Sequence, residues 1–130
     1  MPHAVLAVDD IDAVDVFGLG RAIRYHEVFS PAGTNVNFMQ PLGDHTIAVR
    51  TYERGVEDET LACGTGSVAS ALVMGLKKRW ASPVDVKTRS GAMLRISFDS
   101  REGRFVRVYL EGDARVIYQG TLWQEAWKRP

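Results

Sequence analysis

Cysteine is almost absent from this chain. Of 130 residues only Cys63 carries a thiol, so no intrachain disulfide staples the fold and packing alone must hold it. Net charge is absent too. Sixteen Lys and Arg residues balance sixteen Asp and Glu residues, leaving no whole-chain field to draw in a nucleic acid or an anionic membrane. Small polar or zwitterionic partners stay open. Histidine is scarce and scattered, at His3, His26 and His45, which does not suggest a zinc cluster with Cys63. No run approaches the ~20 apolar residues of a membrane helix. The opening MPHAVLAVDD has no basic segment ahead of an apolar one. The expectation is a cytoplasmic, metal-free protein that is neither exported nor inserted in a membrane. Its length suits one domain with a real core.

What is present reads as alternating strands around one long helical stretch. His3 to Val8 is a strand with no lead-in, as though the chain had been cut from something longer. Asp caps and the spacing of Val16, Leu19, Ala22 and Ile23 predict a short amphipathic helix at 13–25. SPAGTN is a loop. Strands are expected at Asn35 to Gln40 and Thr46 to Tyr52, turned by Pro41-Leu42-Gly43-Asp44, with a polar loop from Glu53 to Thr60. Cys63 to Arg79 is the long helix. It is apolar in nearly every direction, which predicts burial all round, and Lys77, Lys78 and Arg79 suit its C-terminal end. Beyond Pro83, strands at Val84 to Thr88, Met93 to Phe98, Phe105 to Leu110 and Ala114 to Gln119 should form an antiparallel meander. Turns at Ser90-Gly91, Arg101-Glu102-Gly103 and Gly112-Asp113 would join them. The tail, Trp123 to Pro130, is either a short extra helix or disordered. The expected fold is α+β, a curved and mostly antiparallel sheet wrapped around one central helix.

The thiol stands where that helix begins. If the helix starts at Gly64, Cys63 lies beside unpaired first-turn amides and the positive end of the dipole, a setting that favours thiolate. The backbone of Gly64 and Gly66 would let an anionic group such as a carboxylate approach, and Thr65 adds a hydroxyl. A lone cysteine is otherwise a small buried hydrophobe, and that reading stays open on position alone. Gly64-Thr-Gly66-Ser-Val-Ala69 also fits GxGxxA, with Asp85 downstream. A dinucleotide loop must follow a buried strand, however, and the polar Glu57-Asp58-Glu59-Thr60 precedes this one.

Several motifs, in order, carry a family resemblance. Tyr52-Glu53-Arg54-Gly55 and Glu59-Thr60-x-Ala62-Cys63-Gly64-Thr65-Gly66 are similar to the diaminopimelate epimerase signature around its second catalytic cysteine. Pro2-His3-Ala4-Val5, Gly33-Thr34-Asn35-Val36-Asn37-Phe38 and Glu111-Gly112-x-Ala114 resemble the same family. The resemblance spans essentially the whole chain but only the second half of a protein built of two similar domains. It implies that residues 1–130 form a single domain equivalent to the C-terminal one, and that the N-terminal domain with the partner cysteine is missing. The implied activity is a cofactor-free isomerase of lysine and peptidoglycan biosynthesis that interconverts LL- and meso-diaminopimelate. One cysteine thiolate removes the α-proton while the other, as thiol, protonates the opposite face.

Carried over by that resemblance, Cys63 is the second acid–base cysteine. His3 and Glu53 assist proton exchange, while Asn35, Glu53, Arg54, Gly64 and Thr65 contact substrate. Two departures stand out. Met1 occupies the place before Pro-His where some members have a substrate-contacting Asn, and the Val56 to Thr60 loop is a residue longer than in some members. Inversion needs an acid and a base on opposite faces, and one domain with one thiol supplies one face. Three expectations follow: an inactive or weak half-enzyme awaiting its N-terminal domain, a homodimer in which each copy lends its Cys63, or a non-catalytic module of the same fold. A related cofactor-independent racemase is a further alternative.

Overall fold

Residues 35–40 and 46–52 carry apolar side chains on both parities, so both faces of those strands need cover. The computed structural model, which describes residues 1–128, supplies one helix for each face. Seven strands are present among the described residues: β1 (His3–Ala7), β2 (Asn35–Gly43), β3 (Thr46–Glu53), β4 (Asp58–Thr60), β5 (Val84–Lys87), β6 (Met93–Arg101) and β7 (Arg104–Glu111). The helices are α1 (Val16–Arg24) and α2 (Gly64–Lys78), with 3-10 turns at Glu27–Phe29 and Gln124–Ala126. The strand order is β1-β2-β3-β5-β6-β7, with β4 beside the end of β3.

The sheet is mixed. The β1–β2 and β3–β5 pairs are parallel, and the other pairings are antiparallel. Each parallel pair is bridged by a helix, α1 between β1 and β2, and α2 between β3 and β5. Both crossovers move the same way along the sheet, but β2 and β3 run oppositely. Crossovers of one hand therefore place the two helices on opposite faces. Val16 of α1 packs with Val36, Phe38, Ala48 and Tyr52. Ala71 and Met74 of α2 pack with Met39, Ile47, Val49, Val84, Val86, Ile96 and Phe98 on the other side. Fully burying each large side chain in these clusters contributes on the order of 1.5–3 kcal/mol. Gly20 is needed where α1 crosses β3, because a Cβ there would meet Tyr52 Cβ at 2.4 Å.

α2 touches β1, β2, β3, β5, β6 and β7. Six strands span ~24 Å at their usual spacing, twice the width of a helix, so the sheet must curl over α2 to reach it with both edges. The expected curved α+β architecture is thus present. Burial of α2 is one-sided rather than complete. Gly66, Ser67, Ser70, Ala71 and Met74 form the buried stripe, whereas Leu76 is 63 % exposed. Small residues in the stripe let the sheet close in. The hydroxyls of Ser67 and Ser70 are satisfied on their own helix, donating to Cys63 O at 3.0 Å and Gly66 O at 2.9 Å.

Other departures have local causes. α1 starts at Val16, not 13, because Asp15 caps it by accepting from Gly18 N at 2.8 Å. β2 runs through Pro41 to Gly43 instead of turning there. β1 ends opposite Met39, so Pro41 lies on a free edge where a missing N–H costs nothing. Asp58–Thr60, expected as loop, pairs with β3 as the short strand β4. Residues 114–119 form no strand. Val116 and Ile117 are 92 % and 91 % exposed, and no strand of the described residues pairs with them. Strand propensity is expressed only against a partner. The tail holds the 3-10 turn Gln124–Ala126, and its last two residues lie outside the described ones.

Candidate active site

The sheet face beneath α2 changes character along the strands. Under the helix body it offers Met39, Ile47 and Val49; toward the helix N-terminus it offers Asn35, Asn37, Thr51, Glu53, Thr60 and His3. This polar end follows from strand parity and register. His3 pairs with Asn35, Asn37 with Thr51, and Thr51 with Thr60.

Cys63 is the N-cap of α2. Its backbone is extended (φ −127°, ψ 106°), its carbonyl accepts the first helical bond from Ser67 N at 2.9 Å, and Sγ accepts from Gly66 N at 3.4 Å. Thr65 Oγ1 lies 3.7 Å from the sulfur. The residue is 8 % exposed, while Gly64 and Thr65 beside it are exposed. Their N–H groups donate to no protein group among the described residues, which is the ordinary state of a first helical turn and makes it receptive to an anion. The GxGxxA reading fails on structure. The loop follows the three-residue, half-exposed β4 rather than a buried parallel strand.

Asn35 is fully buried, and its Oδ1 accepts from Arg54 N at 2.8 Å, tying the end of β3 to the start of β2. Its Nδ2 donates to Met1 Sδ at 3.0 Å, so the methionine side chain lies against the Asn35 amide. The Arg54 guanidinium donates to Ala32 O at 3.0 Å. Glu53 is half-buried, and its carboxylate makes no hydrogen bond or ion pair among the described residues. The loop after it is anchored by a residue sequence reading passed over. Glu57, in the left-handed region at φ 60°, accepts from Gly55 N at 3.0 Å and pairs with Arg24 at 2.9 Å. Its carboxyl sits below the ordinary range, chiefly through the Gly55 amide.

His3 Nδ1 lies 3.2 Å from Asn37 Nδ2. Burial first, then the Met1 ammonium, push its imidazole below the ordinary 6.5, with Glu53 pulling upward. Between the lowered value and 6.5 the unfolded chain binds a proton at His3 that the folded chain does not. Its contribution is therefore complete above pH ~6.5 and lost as pH falls below it. Urea midpoints should be lower at pH 5.5 than at pH 7.5, and His3→Gln should shrink that gap. An unchanged gap would contradict this account of His3.

A separate groove of about 270 Å³ opens where the outer edge of β3 passes from β5 to β4, lined by Ile11, Gln40, Arg50, Lys87 and Arg89 among others. It lies away from the thiol. Arg50 is already held there by Glu59 at 2.6 and 2.7 Å and by Ile11 O at 2.9 Å, so its guanidinium is spent on structure.

Fold and site together define a class: a domain whose sheet curls over one helix, with a thiol, open amides and a polar strand face gathered at that helix's mouth. Residues 1–117 match the family described as diaminopimelate epimerase, and the chain belongs to that family. It is 52 % identical over 130 residues to a diaminopimelate epimerase of Aquifex aeolicus, covering 96 % of this chain and 44 % of the relative. Against one of Methanocella arvoryzae it is 48 % identical over 122 residues, covering 94 % and 41 %. The chain therefore spans less than half the length of these curated relatives. A solved phenazine biosynthesis protein of the PhzF family from Bacillus anthracis aligns with TM-score 0.49 and 19 % identity, over 74 % of this chain and 30 % of that one.

Proposed function

We propose that this chain is the C-terminal half-site of a cofactor-independent epimerase that interconverts LL- and meso-diaminopimelate by cysteine acid–base chemistry. The observation that carries the reading is the sole thiol standing as N-cap of α2, with the open Gly64 and Thr65 amides beside it. In this reading the α-carboxylate docks on those amides, where the helix dipole and N–H donors stabilise charge developing on the carbanion. Cys63 exchanges the α-proton on one face. Glu53 and His3 assist that exchange, and Asn35, Glu53 and Arg54 hold the polar groups of the substrate.

The opposite face must come from an N-terminal domain or from a second copy. Two features support an absent partner. Leu61 and Leu110 are exposed close to the thiol, Leu110 Cδ1 lying only 3.3 Å from where a Gly64 Cβ would stand. The 114–119 segment forms no strand and leaves Val116, Ile117 and Tyr118 bare, an apolar stretch open to a partner.

The test is deuterium wash-in at the α-carbon of LL-diaminopimelate in D2O, with conversion to the meso form followed in parallel. The chain alone should show little of either. Adding the N-terminal half of the Aquifex aeolicus relative should restore both. Turnover by the chain alone would point to the homodimer, which sedimentation would then have to show. No turnover in either case, with no binding of diaminopimelate, would sink the reading in favour of a non-catalytic module.

A further inference from the structure

Asn37 belongs to none of the roles assigned above, yet its side chain is fully buried and every hydrogen-bonding atom of it is used. Oδ1 accepts from Thr51 Oγ1 at 2.9 Å. Nδ2 lies 3.0 Å from the carbonyl of Ala4 and 3.2 Å from His3 Nδ1. The Ala4 carbonyl settles which way the amide points. A carbonyl oxygen only accepts, so the atom facing it is the nitrogen; the flipped amide would press two oxygens together. Nδ2 has two hydrogens, one for Ala4 O and the other for His3 Nδ1. His3 Nδ1 must then present a lone pair, and the proton of the neutral ring sits on Nε2.

Nε2 is buried and has no partner among the described residues. A buried N–H without an acceptor costs ~1–3 kcal/mol, which marks it as a donor awaiting one. The same amide also sets the distance to the thiol's helix. Gly66 Cα rests against it so closely that a Cβ there would stand 2.2 Å from Asn37 Oδ1.

We infer that Asn37 is a positioning residue: it locks His3 in the Nε2–H tautomer and leaves that buried N–H without a protein acceptor among the described residues, so His3 enters the site as a hydrogen-bond donor rather than a base. This rests on the reading of His3 as a site residue. Protonation of Nδ1 would set its N–H against the Asn37 N–H, so the amide opposes the imidazolium independently of burial.

The tautomer is read directly by long-range ¹H–¹⁵N correlation of the imidazole at pH 8, on the intact chain. The expected spectrum has His3 Nε2 protonated and Nδ1 unprotonated. Nδ1–H in the wild-type chain overturns the inference outright. In Asn37→Asp the carboxylate can only accept, so Nδ1 should gain a proton, a change that a merely structural role for Asn37 would not produce. A folded Asn37→Asp chain whose His3 keeps a bare Nδ1 also overturns it. Should that variant fail to fold, the wild-type spectrum decides alone. Because the readout needs no turnover, a correct tautomer with no diaminopimelate binding or turnover even after an N-terminal half is added would remove only the proposed function, and the reverse result only the role of Asn37.

Discussion

Changing Cys63 to serine is expected to leave the fold intact and abolish proton exchange once the chain is completed by an N-terminal half. Serine is a better helix N-cap than cysteine. Its hydroxyl accepts from the Gly66 amide more strongly than a thiol sulfur at 3.4 Å, so stability should hold or rise by up to ~1 kcal/mol. The chemistry moves the other way. Losing one member of an acid–base pair removes ~10²–10⁴-fold in rate, and a serine hydroxyl is far too weak an acid to stand in for a thiol. Urea unfolding and deuterium wash-in on the same samples separate the two effects. A serine variant that still exchanges the α-proton at the wild-type rate would remove Cys63 from the mechanism.

Gly66→Ala should damage both stability and site. Alanine is favoured over glycine within a helix by ~1 kcal/mol, so a neutral environment would make this substitution stabilising. Here the added methyl would lie 2.2 Å from Asn37 Oδ1 and 3.2 Å from Cys63 Sγ. Asn37 cannot step aside, since it is pinned by Thr51, Ala4 and His3. The first turn of α2 must lift, at an overpacking cost of ~1–3 kcal/mol that outweighs the propensity gain. A lower urea midpoint and a changed rate of Cys63 alkylation are expected. An unaltered alkylation rate with raised stability would show that Asn37 yields and that the helix mouth is not held by it.

Much of this arrangement was legible beforehand, residue by residue. Gly64, Thr65 and Gly66, followed by small and aliphatic residues, marked the start of a packed helix, and the N-cap position of Cys63 followed from that start. Alternation in 93–98 marked a strand, because a half-buried strand repeats every second residue, while 35–40 and 46–52, apolar on both parities, were marked by the turn residues that bound them. The three-residue β4 was too short to show any period. Residues 114–119 carry the β-branched and aromatic residues of a strand, yet stand bare in solvent, because such a composition announces readiness to pair and says nothing of whether a partner strand is there. Asn37 appeared in the family motif but carried no sign of its contacts. These depend on which strand lies beside β2 and in what register.

By itself the amino-acid order determined the local elements and the thiol's place at a helix start, since capping, periodicity and backbone freedom act over a few neighbouring positions. Only the tertiary structure decided that the two helices lie on opposite faces of the sheet, that His3 and Thr51 meet across one buried amide, and that α2 keeps an open face. Those outcomes depend on pairing between segments dozens of residues apart, where chain direction and register select which side chains share a face.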